Sequence, residues 1–209
     1  MAEVDRWNTA NGVGQCVTRI DAADGALKAR IQESGFYFAE TSFRLSKTNL
    51  AHCDFNKITT KRLYLRPSEN RDRTVVQEIA ATDFLFGRFL EDPFLEAGLG
   101  ATRHANWVGD LLDQGLLYVA VLNDRVLGFH AERLSSDGKE ADLILTGTAR
   151  KYSLLSLPLW VSALDSLRER GVTRASTMIS AANIGVLNLY CALDFHFDQT
   201  LLGFHKRYI

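Results

Sequence analysis

Three cysteines, Cys16, Cys53 and Cys191, are too few and too scattered for a disulfide framework, and no CxxC pair offers zinc binding or thiol redox chemistry. They are expected to be reduced, buried thiols. The five histidines, His52, His104, His130, His196 and His205, lack HxxxH or HExxH spacing and no acidic loop suits calcium, so no metal site is expected. Nor does one sign of charge prevail. The 24 Lys and Arg against 25 Asp and Glu leave a formal net charge of −1, without the basic field that holds a polyanion, so nucleic acid is not an expected partner. No run approaches the roughly eighteen apolar residues of a membrane helix, and the first residues, with Asp5 and Arg6, form no apolar leader. The expectation is a cytoplasmic globular protein without a membrane partner, its 46% hydrophobic residues sufficient for a core and its ligands small molecules.

An internal echo is present. A constant shift lays Thr18-Arg19-Ile20-Asp21-Ala22-Ala23-Asp24 on Thr177-Met178-Ile179-Ser180-Ala181-Ala182-Asn183, and Phe36-Tyr37-Phe38 on Phe195-His196-Phe197. Both copies flank a helix-like segment, with Leu27 and Ile31 opposite Val186 and Tyr190. Residues 1–57 are therefore expected to form a small β-α-β module appended to a main domain of residues 58–209. The module is expected to carry no active site, since Ile31 stands in the place of Tyr190.

The main domain opens with Arg62 to Pro67, which alternates as a strand and ends at a residue unable to donate to a ladder. Asp72 is placed to cap a helix bearing Val75, Val76, Ile79 and Ala80, and Asp92-Pro93 marks a turn. Trp107, Val108, Leu111 and Leu112 predict a second helix over 105–114, ended by Gly115. Leu116 to Leu122 and Arg125 to Glu132, joined by Asn123-Asp124, read as a hairpin, and Ala141 to Thr146 as a further strand. A long helix starts close to Ser156, with Pro158 in its first turn, and runs to Gly171. Arg174 to Ile179 suits a strand, Val186, Leu187, Leu189, Tyr190 and Leu193 recur at helical spacing, and alternation resumes at Phe195. The segment Leu201 to Tyr208 is expected at a sheet edge, free to pair with a second copy in a homodimer.

Asn183, Leu189, Tyr190 and Phe195 match an Asn-x-x-x-x-x-Leu-Tyr-x-x-x-Gly-Phe element, with Asp194 in place of its glycine. That element, and the order βα, α, βββ, α, β, α, ββ over residues 58–209, resembles the Gcn5-related N-acetyltransferases (GNAT). The N-terminal module, Gly87-Arg88-Phe89 and the ending Phe204 to Tyr208 look most like the dTDP-fucosamine acetyltransferase type. The resemblance implies an α+β acyltransferase fold with a mixed, mostly antiparallel sheet. It implies acetyl-coenzyme A, or another acyl-coenzyme A, as co-substrate, and direct transfer to the amine of a small acceptor such as a nucleotide-linked sugar. It also implies that Asn183 touches the coenzyme, that Tyr190 gives a proton to the departing thiolate, and that a backbone N–H near Leu145, Thr146 or Gly147 faces the developing oxyanion.

The same resemblance places the pyrophosphate turn over Lys151, Tyr152, Ser153, Leu154, Leu155 and Ser156, where exposed amides and the helix dipole would hold the anion. Leu154 and Ser156 stand where the family has glycine, and the Cβ of Leu154 disfavours a close approach of backbone to phosphate. A one-position shift would use Arg150, Ser153 and Leu155. The expectation is a weakened or reshaped donor site; the rival is a degenerate member that has lost coenzyme A and serves as a binding or assembly module. A phenol, with an ordinary pKa of about 10, stays protonated at neutral pH and suits a thiol leaving group. Glu132, His130, Asp142 or a water chain are open choices for the base. Phe86, Arg88, Phe89 and Asp92 form an aromatic and charged cluster for the acceptor, with Arg88 suited to a diphosphate.

Overall fold

The computed structural model describes residues 2–208. Asn123 and Asp124 take left-handed φ values of 49° and 61°, the geometry of a two-residue hairpin turn, and join β4 (Leu117–Leu122) to β5 (Arg125–Leu134). β6 (Glu140–Thr148) continues the antiparallel meander, and β3 (Tyr64–Pro67) closes the far edge beside β4. The amphipathic helices α3 (Arg73–Thr82) and α4 (Leu99–Asp113) bury Val76, Ile79, Val108 and Leu111 against Phe129 and Ala131 of β5. On a second core, α5 (Ser156–Glu169) and α6 (Ile184–Ala192) bury Leu159, Leu164, Leu167 and Tyr190 against Ala141 and Leu143 of β6 and Ala175 of β7 (Arg174–Ser180).

Four expectations change. α4 starts at Leu99 rather than near Ala105, because Gly98 turns at φ 89° and Gly100 lets the helix lie where a Cβ would sit 2.5 Å from the Phe89 carbonyl. Asp72 makes no cap onto α3: its carboxylate accepts from both Nη atoms of Arg66, at 2.7 and 2.8 Å, and from the Glu69 N–H. Cys16 and Cys53 are half-buried, and Cys191 is exposed rather than buried. The last strand, β8 (His196–Arg207), is a single interior strand and not an edge.

β8 is interior because the N-terminal segment flanks it. After α1 (Ala2–Ala10), the strand–helix–strand unit β1 (Gln15–Asp21), α2 (Gly25–Glu33) and β2 (Tyr37–Lys47) joins the same sheet, in the order β1-β8-β2-β7-β6-β5-β4-β3. The register repeats under the shift seen in the sequence: the pair Thr18 and Phe204 becomes Thr177 and Leu45, and Ile20 and Leu202 becomes Ile179 and Phe43. The central ladder obeys it too, Phe38 facing Phe204 and Leu45 facing Phe197. Each copy thus places its second strand inside the other copy, and the partner expected for β8 at the end of the chain comes from the beginning.

One local feature positions the site. β6 and β7 are the parallel pair, and their register runs only from Glu140 and Arg174 to Leu143 and Thr177. Facing β5, the register of β6 slips between Leu143 and Leu145, leaving Ile144 as the extra residue of a bulge. Thr177 Oγ1 donates to the Leu143 carbonyl at 3.0 Å as the last rung, and beyond it the two strands part.

Candidate active site

The parting of β6 and β7 opens into a cavity of about 630 Å³. Tyr190 lines it from α6, held by Phe195 and Trp160 at ring distances of 4.8 and 6.4 Å. Asn183, which also lines it, sets the start of α6 by accepting the Val186 N–H on its side-chain oxygen. Asp194 ends the helix at φ 60°, the left-handed turn expected where a glycine is usual. Burial raises the Tyr190 phenol above its usual range, with Thr177 and Trp160 opposing in part, so it is a proton donor at neutral pH. The buried Trp160 indole N–H lies on the same wall, near enough to the Tyr190 oxygen to oppose that rise.

Of the residues singled out from the sequence, Leu145, Thr146, Asn183, Tyr190, Phe86, Arg88 and Phe89 line this cavity. Gly147 does not: the Phe84 ring covers it, so closely that a Cβ would lie 2.6 Å from Phe84 Cζ. Asp92 is corrected as well. It is 6% exposed and serves the interior, accepting from Tyr37 Oη at 2.9 Å and the Phe94 N–H and lying 2.6 Å from His205 Nδ1. Burial acts to raise the Asp92 carboxyl, and His205, Phe94 and Tyr37 outweigh it and hold it below the usual range. Tyr37 is in turn pushed up to about 12 by burial and by Asp92.

Lys151 to Ser156 also lie off the main cavity. They fall in a 3-10 segment, Arg150–Leu155, and the first residue of α5. Leu154 is 94% exposed, so its side chain does not plug the cleft. Three amides there are engaged: Arg150 N–H donates to the Asp83 carboxylate, Tyr152 N–H to Ala149 and Ser156 N–H to Ser153, while Pro158 has none. Lys151 and Tyr152 instead face a groove of about 700 Å³ with Arg66, Arg71 and Arg125. The turn thus departs from a glycine-rich phosphate cradle and stands apart from the cavity.

On the cavity's other wall, the guanidinium groups of Arg88 and Arg103 lie 5.0 and 4.1 Å from the Phe89 ring centre. Neither has a carboxylate partner among the described residues. Burial, then Arg19 and Arg103, lowers Arg88 to about 10; burial and Arg19 also lower Arg103. Arg19 itself is held by Glu40, Nε to Oε1 at 2.8 Å, and Glu40 also accepts from Ser42. Sequence reasoning missed Arg103 on α4, and missed Arg19 and Glu40 by giving the N-terminal unit no part in a site. The echo held a signal: Arg19 is the counterpart of Met178, and both line the cavity. Asp142 lies there too, its carboxyl raised by burial against the opposing charges of Arg133 and Arg44.

The other two base candidates are buried on β5. His130 and Glu132 are 2% and 4% exposed, and neither lines the cavity. His130 Nδ1 lies 2.7 Å from Thr146 Oγ1 and His130 Nε2 2.9 Å from Glu132 Oε2, while Glu132 Oε1 pairs with Arg170. Burial raises the Glu132 carboxyl, but His130 and Arg170 overcome that and hold it low.

No described helix is long and apolar enough to cross a membrane. A scan against protein-family models and a search of curated proteins match nothing. Solved structures do match. A tandem GNAT protein from the clavulanic acid biosynthesis pathway aligns with TM-score 0.68 at 14% identity, over 99% of this chain and 68% of that one. A GCN5-related N-acetyltransferase from Sphaerobacter thermophilus gives 0.60 at 16%, over 98% and 64%. A functionally unknown conserved protein from Staphylococcus epidermidis gives 0.65 at 12%, over 99% and 78%. The chain therefore spans about two thirds to three quarters of these structures' lengths. At such identities the likeness concerns architecture: this chain has the α+β fold, with its mostly antiparallel sheet, of the GCN5-related N-acetyltransferases.

Proposed function

We propose that the protein is an acyl-coenzyme A dependent N-acyltransferase, with acetyl as the transferred group, acting by direct transfer on the amine of a small acceptor. The observation that carries this reading is the parting of β6 and β7 beyond Leu143 and Thr177, with the buried phenol of Tyr190 on the wall of the resulting cavity. Acetyl-coenzyme A supplies an activated thioester. The chain supplies Tyr190 to give a proton to sulfur, and backbone at the β6 bulge beside Leu145 to face the carbonyl oxygen. Substituting Phe for Tyr190 is expected to cut thiol release from acetyl-coenzyme A by about 10²–10⁴-fold; unchanged turnover would refute the assignment.

The acceptor in this proposal is a nucleotide-linked amino sugar, as for the dTDP-fucosamine type. Arg88 and Arg103 support it, two half-buried guanidinium groups without carboxylate partners among the described residues, both against the Phe89 ring in the cavity that Tyr190 lines. A second reading, a GNAT-fold binding module without coenzyme A, is favoured by the engaged amides of Tyr152 and Ser156 and by the Asp83 carboxylate on the Arg150 N–H. An acetyl-coenzyme A titration separates the two.

A further inference from the structure

We infer that Thr146, His130 and Glu132 form a hydroxyl–imidazole–carboxylate relay that takes the proton from the acceptor's amine, with Thr146 as the catalytic residue and His130 and Glu132 acting through it. The inference rests on the acyltransferase reading and supplies the base that the sequence left open.

Thr146 is the member that reaches the cavity, on the part of β6 that has already left β7. Its partner His130 stands opposite it in the β5–β6 ladder, and Glu132 follows two residues along β5. The imidazole is fixed at both nitrogens, 2.7 Å from the hydroxyl and 2.9 Å from the carboxylate. Ionised Glu132 accepts only, so Nε2 carries a hydrogen, and in the relay Nδ1 is the atom that takes the threonine proton. Behind it, Glu132 is anchored by Arg170, whose guanidinium lies over Tyr118 near the surface. A buried imidazole needs a partner at each nitrogen, and here one of the two is the side chain of a residue that lines the cavity. A nucleophile or its substitute, a base and an orienting carboxylate within hydrogen-bond reach is the arrangement that moves protons.

The step balances. The amine lone pair forms the N–C bond to the thioester carbon, and the C–S pair leaves with sulfur, which takes the Tyr190 proton. The nitrogen gives its proton to Thr146 Oγ1 as the threonine proton passes to His130 Nδ1, leaving an imidazolium beside Glu132. That imidazolium then releases its proton to solvent, and the tyrosinate takes one from solvent.

The test is thiol release from acetyl-coenzyme A, with UDP-glucosamine as acceptor and with water alone, in Thr146→Val, Thr146→Ser and His130→Gln. Valine matches threonine in shape, so Thr146→Val is expected to lower kcat at least 100-fold with KM for acetyl-coenzyme A within twofold of the parent. Thr146→Ser, which keeps the hydroxyl, should restore activity to within about fivefold, and His130→Gln should remove the rising limb of the pH–rate profile. A folded Thr146→Val protein within threefold of the parent overturns the relay, the more so if Asp142→Asn is inactive. A parent that releases no thiol overturns the acyltransferase reading and the relay together, whereas an active parent with an active Thr146→Val sinks the relay alone. Independently of turnover, nitrogen NMR at neutral pH should find His130 protonated at Nε2 only; an imidazolium there, or hydrogen on Nδ1 instead, contradicts it.

Discussion

Tyr190 combines burial, aromatic neighbours on two sides and a place on a cavity wall, so losing its hydroxyl removes a proton donor while the ring keeps its packing. Tyr190→Phe should therefore unfold within about 1 kcal/mol of the parent, and a much larger loss of stability would show that the hydroxyl is structural. Arg88 and Arg103 invite a binding test: Arg88→Met or Arg103→Met should weaken UDP at least tenfold, read from the fluorescence of Trp107, whose ring lies 5.4 Å from the Arg103 guanidinium. Equal affinity in parent and variants would remove the diphosphate from the acceptor proposal. Asp92 gives a pH prediction. Its folded carboxyl lies below the unfolded value, so its contribution is complete above about pH 4 and is lost as pH falls through the lowered folded value. Asp92→Asn should flatten that part of the stability curve in urea titrations between pH 2 and 5; an unchanged slope would show that another group produces it.

Among the elements, those set by neighbouring residues were readable from the sequence. Asn123-Asp124 makes the hairpin, Pro158 fits the first turn of α5, and Asn183 and Asp194 bracket α6. What failed depends on partners far along the chain. Asp72 met Arg66 across a turn rather than the α3 amides, and Asp92 met Tyr37 and His205 rather than a ligand. The pairing of Thr146 with His130 follows only once the register of β5 and β6 is known, bulge included. That ladder is tight: at Gly128 a Cβ would lie 2.4 Å from the Gly147 carbonyl oxygen. Gly128→Ala should accordingly destabilise by about 1–3 kcal/mol and lower activity, both measurable by thermal melting and thiol release; a neutral substitution would mean that β5 and β6 have room to separate.

For the whole molecule, the echo in the sequence identified two similar strand–helix–strand units, but not that each inserts its second strand into the other. Periodicity reports which residues share a face and carries no information on which distant strand lies alongside. Because β2 lies between β7 and β8, the N-terminal unit is part of the sheet, and it brings Arg19, Glu40, Ser42 and Arg44 to the cavity. Residues 58–209 alone should fail to unfold cooperatively, for they would leave β7 and β8 without the strand that joins them. A stable, acetyl-coenzyme A binding fragment would contradict this. The most direct measurement of the central claim is calorimetric titration of the intact protein with acetyl-coenzyme A: saturable binding of one molecule per chain is predicted, and the absence of heat at two temperatures up to millimolar ligand would contradict it.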